Sequence, residues 1–525
     1  MQFKNLNELN SFTKLKNLKP TNLHTRLTKN RIENSLTPCG GDLTFNWAAT
    51  PIEETHLKVL QELADEQQVI EKYQALLAGE VMNTGEKRLV LHHLTRGRVL
   101  GEDTSVFADG EEKGAFYQEQ LKAIQDFSEA VRSGQILSSA GQRFSTVVQI
   151  GIGGSDLGPR ALYHALKGSV AAEHRLKAYF ISNVDPDDAY EVFEELDFAS
   201  TLFILVTKSG TTQETLTNLE MVKQTMLSLE NAQLDPSKHI VAVTSKSSPL
   251  ATSTQFLKAF FIDDYVGGRY SSTSAVGGVI LALIFGFDTF RQLLNGAHSG
   301  DANALELDIR KNGALLDALI GIYYRNVLHY PYTAILPYSQ ALLRFPAHLQ
   351  QLDMESNGKQ VNRWGEKIGY ESGPVIFGEP GTNGQHSFYQ LLHQGTNPVP
   401  LQFIAFKNSQ RKKDIVVDGS TSQTKLIANL IAQIVAFAQG KEDENSNKNF
   451  PGNRYSSVLV ADQLSPYTLG ALLAHYENKV MFQGFLWNIN SFDQEGVQLG
   501  KVLANHVLTG NVEESALQGY MDLLL

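Results

Sequence analysis

Between residues 202 and 222 the chain reads LFILVTKSGTTQETLTNLEMV, with Thr207, Ser209, Thr211 and Thr212 crowded around Lys208 directly after an apolar run. Hydroxyls donate hydrogen bonds, and backbone N–H groups at a helix start carry partial positive charge. A cup built from both suits a phosphate or a carboxylate. The run Leu202 to Val206 has strand character, and Thr211 to Glu214 fits a Thr-x-x-Glu capping box that would open a helix at Thr211. The same residues also fit an ordinary capped strand-to-helix turn that binds nothing.

Five further segments carry residue types with chemical capacity. GIGGSDLGPR, 151–160, follows the run VVQI and precedes a helix, and its glycines allow close backbone approach to a ligand. A dinucleotide fingerprint would need glycine where Asp156 stands, although Asp185 occupies the place of a ribose-binding acid after the next strand. A packing turn and, with Ser155, a second anion cup both remain open. VGGRYSSTSAVGG, 266–278, sets Arg269 in a glycine-flanked loop, where a guanidinium can oppose developing negative charge or simply face water. QLDMESNGKQV, 351–361, places Glu355 before a Ser-Asn-Gly turn, as a general base or a solvated side chain. Lys359 is no Walker lysine, because Gln360 follows it.

GEPGTNGQHSFYQLLHQG, 378–395, surrounds His386 with turn residues ahead of an amphipathic helix. FDQEGVQLGKVLANHV, 492–507, carries Gln494 and Lys501 seven residues apart, close to two helical turns, which predicts that both face one side. That lysine could pair with phosphate or sugar oxygen, or be solvated. No H-E-x-x-H cluster occurs, so metal catalysis is not indicated.

Positioning these residues takes several elements. At 525 residues the chain exceeds one core, and two to four domains are expected. The net charge of −11 argues against nucleic acid or an anionic membrane as partner, while leaving room for local positive charge in a cleft. One cysteine, Cys39, excludes an internal disulfide and a multi-cysteine zinc site, and fits a reducing cytoplasm. The most apolar segment, AVGGVILALIFGF at 275–287, is too short for a membrane span and predicts a buried helix. The basic N-terminus, with Glu8 as its early acid, is read as a surface arm rather than a transit peptide.

Residues 1 to about 110 read as helical, and a long helical pattern covers 114–134. From TVVQIGIG onward, KAYFIS, TLFILVT and HIVAVTS alternate with helices, which implies a parallel sheet covered on both faces. After a helical passage to about 330, YTAILPYS, GPVIFGE, PVPLQFIAF and SSVLVAD form a second set of strands, and 440–453 reads as an exposed loop. The expectation is an α/β protein of two packed α/β sandwiches with a cleft between them. Its parts are an N-terminal helical segment over 1–110, a smaller domain over 111–288, a larger one over 289–510, and a tail over 511–525.

Taken in order, GIGGSDLGP, TKSGTTQET, GGRYS, MESNGK, GTNGQHSFYQLLHQG and DQEGVQLGK resemble the phosphoglucose isomerases, and the resemblance runs from NTGEKRLVLHHLTRG at 83–97 through Lys501. It implies two sugar-isomerase-type domains with parallel-rich sheets, no cofactor, no metal, and a cytoplasmic homodimer with shared active sites acting on a sugar phosphate. Glu355 matches the base, Arg269 the group stabilising the enediolate, and His386 and Lys501 those assisting ring opening, with the histidine supplied by the partner subunit. Gly154, Ser155, Thr207, Lys208, Ser209 and Thr212 match sugar-phosphate positions, and Gln351 and Gln494 match residues lining the sugar. The loop TKSGTT follows the small-residue version of the motif. Tyr455 stands where many members carry proline, and NTGEK at 83–87 shifts the usual acidic residue. Two other readings stand beside it: a silent sugar-phosphate sensor that would lack the base, and a nicotinamide-dependent dehydrogenase, disfavoured by Asp156.

Overall fold

The computed structural model describes residues 1–101, 103–229 and 234–525. Two short strands come first, β1 (Leu36–Pro38) and β2 (Thr44–Asn46). They are followed by β3 (Thr146–Ile150), β4 (Lys177–Ile181), β5 (Thr201–Val206), β6 (Ile240–Ser245) and β7 (Lys258–Ile262). The last five form an all-parallel sheet in the order β4-β3-β5-β6-β7. Every residue of β3, β5 and β6 is buried, which explains why the sequence shows continuous apolar runs there and no alternation. The chain leaves β3 for β4 on one side and returns to β5 on the other. The crevice beyond the ends of β3 and β5 is therefore a topological switch point, where ligands of open parallel sheets bind.

The second sheet contains β8 (Tyr332–Pro337), β9 (Val375–Phe377), β10 (Leu401–Asn408) and β11 (Ser456–Gln463). Its order is β1-β2-β11-β10-β8-β9, parallel from β11 to β9 and closed by the antiparallel pair β2 and β1. The sequence reading had only helices in the first 110 residues. Strands of three residues are too short to show a period of two; β2 is set by its pairing with β11, and β1 by its pairing with β2, rather than by local propensity.

Helices pack between and around the sheets: α1 (Lys113–Ser133), α2 (Leu157–Leu166), α3 (Gln213–Ser228), α4 (Ala275–Phe285), α5 (Phe287–Asn303), α6 (Phe345–Gln350) and α7 (Pro466–Leu486). All of α4 is buried, as expected of a helix that is apolar all round. Almost all of α7 is buried too, and its backbone meets that of α5 at Gly470, where a Cβ would stand 1.9 Å from the Leu293 carbonyl oxygen. Among the described residues no helix is long and apolar enough to cross a membrane.

One cluster of charged groups inside this core joins three segments. Arg96 Nη1 lies 3.1 Å from both carboxylate oxygens of Asp301, Nη2 pairs with Glu477 on α7, and all three side chains are at most 1% exposed. Asn478 donates to Asp301 at 3.0 Å. Arg96 Nε donates to the Thr273 hydroxyl at 3.2 Å, which pins the far end of the turn Gly268–Thr273 that carries Arg269. Removing one member of a buried ion pair strands its partner in low dielectric, at about 3–5 kcal/mol. Asp301→Ala should lose stability of that order in chemical denaturation, and a loss below about 1 kcal/mol would show that the pair is not a structural anchor.

Candidate active site

Gly153–Ser155 follows β3 as a single 3-10 turn, and Thr207 to Thr212 follows β5. Because Ile150 and Leu205 are in register, the two loops emerge side by side at the sheet's C-terminal edge. Gly154 is where the backbones crowd most. A Cβ there would sit 2.2 Å from the carbonyl carbon of Gly268, so only glycine lets the turn carrying Arg269 close over this loop.

The hydroxyl loop is built differently from the sequence expectation. The helix begins at Gln213, its N-cap is Thr212, and no side chain caps it. Thr211 turns back instead: its backbone N–H and its hydroxyl both donate to Ser209 Oγ, at 3.2 and 2.9 Å. The Thr211–Glu214 capping box is not formed, because Gly210, at φ +70°, bends the chain within the loop. This leaves the N–H groups of the first turn of α3 without side-chain acceptors, pointing to an anion. Thr207 Oγ1 accepts from the Gly210 N–H at 3.2 Å and stands 3.0 Å from Thr212 Oγ1. Ser209 Oγ, already accepting twice, and one hydroxyl of the Thr207–Thr212 pair keep a proton to donate. Lys208 Nζ donates to the carbonyls of Asp264 and Val266 at 2.9 and 3.3 Å, which fixes the ammonium beside the cup and leaves its third donor. Burial pulls this lysine below its ordinary pKa.

Across the crevice, α6 runs into a π-helical turn over Gln351–Glu355. With the wider turn, residues four apart share one face, so Gln351 and Glu355 both border the cleft. Gln351 Oε1 is buried without a protein donor. Arg269 is 2% exposed, and its fork is almost fully committed. Nε donates to Ser356 Oγ at 2.6 Å, Nη2 to the carbonyls of Ser491 and Asp493 at 2.6 and 3.0 Å, and Nη1 to Gln494 Oε1 at 3.1 Å. A guanidinium has five N–H bonds, so one remains on Nη1. That nitrogen lies 3.6 Å from Glu355 Oε1. Carboxylate and free donor thus face the same point.

A cleft of about 800 Å³ joins most of the residues singled out by sequence: Gly154, Ser155, Thr207, Lys208, Ser209, Thr212, Arg269, Gln351, Glu355, Gln494 and Lys501 all line it. One expectation about spacing is corrected. Gln494 and Lys501 do not share a helical face: Gln494 lies outside helical geometry at φ −149° and ψ 51°, and the helix carrying Lys501 starts only at Gln498. They meet the same cleft because the chain bends between them. His386, itself exposed, ends the turn Asn383–His386 and lines neither this cleft nor the adjoining one beside Glu355. Asp185 caps the helix Pro186–Glu194 by accepting from the Asp187 N–H at 3.1 Å, and Asp156 pairs with Arg160 at 2.7 Å, so neither acid serves a ribose.

Sequence reasoning missed Glu86 and Arg88, which also line the cleft, 3.6 Å apart. The displaced acid in NTGEK was the available signal: Glu86 is held by Asn83 Nδ2 at 2.7 Å. It also missed Lys359, whose ammonium holds Asp493 through its carbonyl and carboxylate at 2.9 and 2.7 Å, beneath the Arg269 contact. Tyr455 is buried and donates to the Thr21 carbonyl at 3.3 Å, remote from the cleft.

The family profile described as Phosphoglucose isomerase matches residues 46–522. The glucose-6-phosphate isomerase of Treponema denticola is 57% identical, with 100% of both chains covered. That of Treponema pallidum is 55% identical over 100% of this chain and 98% of its own. A crystal structure of a glucose-6-phosphate isomerase from Chlamydia trachomatis superposes with a TM-score of 0.92 at 42% identity, covering 99% of each chain.

The close approach at Gly154 gives a direct test of the cup. Gly154→Ala should displace the Gly268–Arg269 backbone, destabilise the protein by about 1–3 kcal/mol through overpacking, and abolish titratable binding of inorganic phosphate. Unchanged phosphate binding would detach this loop from the anion site.

Proposed function

The chain belongs to the phosphoglucose isomerase family, and on that premise we propose how its residues divide the reversible conversion of glucose 6-phosphate into fructose 6-phosphate, a reaction of glycolysis and gluconeogenesis. The observation that carries the assignment is the pairing of Glu355 with the one uncommitted donor of Arg269, 3.6 Å apart in the cleft. An aldose–ketose shift needs a base that removes a proton from one carbon and returns it to the next. Glu355 takes the proton from C2 of the opened sugar, the electron pair moves onto the C1 oxygen, and the same proton returns at C1. A proton exchanged between the two oxygens completes the balance. The enediolate charge is opposed by Arg269, a cation held in place before the reaction begins.

The phosphate is the handle. Ser155, Thr207, Ser209 and Thr212 supply hydroxyls, Gly154 the close approach, and Lys208 the fixed charge, so that binding at one end orients the carbons at the other. Gln351 and Gln494 line the sugar. Lys501, on the rim, and His386 assist ring opening. The exposed position of His386, away from its own chain's cleft, supports its delivery by a second copy. So does the exposed apolar surface beside Glu355, which includes Met354, Trp364, Val375 and Val497. The protein is then a cytoplasmic homodimer whose substrate is a sugar phosphate. Each protomer divides into an N-terminal segment (1–110) completing the large domain, a small domain (111–288), a large domain (289–510) and a tail (511–525). The crevice between the two sheets supports that division.

In a coupled assay with fructose 6-phosphate, excess glucose-6-phosphate dehydrogenase and NADP, the protein should generate NADPH with chelator present. Glu355→Gln should slow it by about 10²–10⁴-fold while still binding the sugar phosphate. Retained turnover in that variant would sink the base assignment. Mixing inactive Glu355→Gln with inactive His386→Ala and exchanging subunits should restore part of the activity, since one hybrid site would then be intact. No recovery after verified exchange would place the histidine in its own chain's site.

A further inference from the structure

Four residues on two segments receive the Arg269 guanidinium, and one contact differs from the rest. Nη2 and Nη1 are received by the loop at 491–494, whereas Nε is received by Ser356, the residue directly after Glu355. Ser356 is fully buried and continues the helix directly after the π-helical turn that ends at Glu355. Its Oγ–Nε bond of 2.6 Å is therefore a strut between the group that opposes charge and the chain segment that carries the carboxylate. We propose that Ser356 is a positioning residue of the isomerase, holding the Arg269 fork at the distance where its spare N–H serves the enediolate oxygen rather than Glu355 itself; this rests on the function proposed above.

The strut is itself held. Tyr270 Oη lies 3.0 Å from Ser356 Oγ, and with Nε as donor to one lone pair of Ser356, the serine–tyrosine contact fixes its hydroxyl rotor. Tyr270 is 1% exposed, and its ring stacks on His92 with centroids 4.8 Å apart, so the phenol cannot swing away. Burial keeps it neutral, with its pKa pushed up to about 12. Without the Ser356 hydroxyl, Nε loses its acceptor in a site where an unmet donor is costly. The nearest charged oxygen is the Glu355 carboxylate, already 3.6 Å from Nη1, and rotation of the fork toward it would make a direct hydrogen-bonded pair. Such a pair occupies both the base and the charge stabiliser while leaving the phosphate cup untouched.

This predicts a division that a general loss of stability would not give. Ser356→Ala should keep KM for fructose 6-phosphate near the wild-type value and lower kcat about 10²-fold, the scale of a misplacement near 1 Å. The acidic limb of its kcat profile should move to lower pH, because a guanidinium bonded to the carboxylate favours the ionised form. Tyr270→Phe, which removes only the outer oxygen, should shift kcat and the limb in the same direction by less. The wild type is assayed first: no turnover there refutes the proposed reaction itself. With an active wild type, a Ser356→Ala variant of normal kcat, or one whose KM rises with an unmoved acidic limb, overturns the positioning role alone. If Ser356→Ala does not fold, Tyr270→Phe decides, and an unchanged kcat and limb in that variant overturns the proposal.

Discussion

The organisation of the site follows from one constraint: a fully buried guanidinium must have its N–H groups received. Arg269 meets it by drawing together the turn after β7, the residue following Glu355, and the loop at 491–494. Each acceptor is a neutral oxygen, so the cation keeps its full charge for the cleft instead of losing it to a carboxylate. The three segments lie far apart in sequence, and the arginine is what gives them a common geometry. Its own loop is held from behind by the buried trio Arg96, Asp301 and Glu477 through Thr273, so the anchoring reaches back into α5 and α7.

The phosphate cup solves a different problem with different material. In a chain of net charge −11, the cup proposed for the phosphate relies, apart from Lys208, on hydroxyls and backbone N–H groups. Neutral donors aimed at one point bind an anion without a cluster of lysines, whose mutual repulsion and desolvation would weaken the fold. Lys208 adds a fixed charge, and its two bonds to carbonyls keep it from collapsing onto the nearby Asp264 carboxylate, which stays 3.6 Å away.

Much of this was legible in the chain itself. The strands of both parallel sets are apolar runs long enough to stand out, and the glycine, hydroxyl and arginine segments each carry their chemistry in adjacent residues. What escaped was what tertiary contacts decide. β2 owes its extended form to β11, and β1 to β2, not to local pattern. Thr211 matches a capping box, but the bend at Gly210 redirects it to Ser209. The seven-residue spacing of Gln494 and Lys501 suggested one helix, whereas Gln494 is pulled out of helical geometry, with its side chain accepting from Arg269. For β2 and Gln494 a long-range partner offered the better hydrogen bond, and for Thr211 a tighter local one did.

The position of Glu355 shows how the two sheets cooperate. A π-helical turn is rare and poorly stabilised on its own, so its presence needs outside support. Asn357 supplies it, donating to the Val480 carbonyl on α7 at 3.1 Å and accepting from the Ser491 hydroxyl at 2.7 Å. Ser491 also receives Arg269 through its carbonyl, so one residue braces both Arg269 and the helical segment that carries Glu355. Glu355 hangs from the second sheet's helices and Arg269 from the first sheet's loop, and the 491–494 loop binds both segments. A carboxylate and a guanidinium free to close on each other would form a direct hydrogen-bonded pair. Separate braces hold them as a looser ion pair at 3.6 Å, with both groups lining the same cleft.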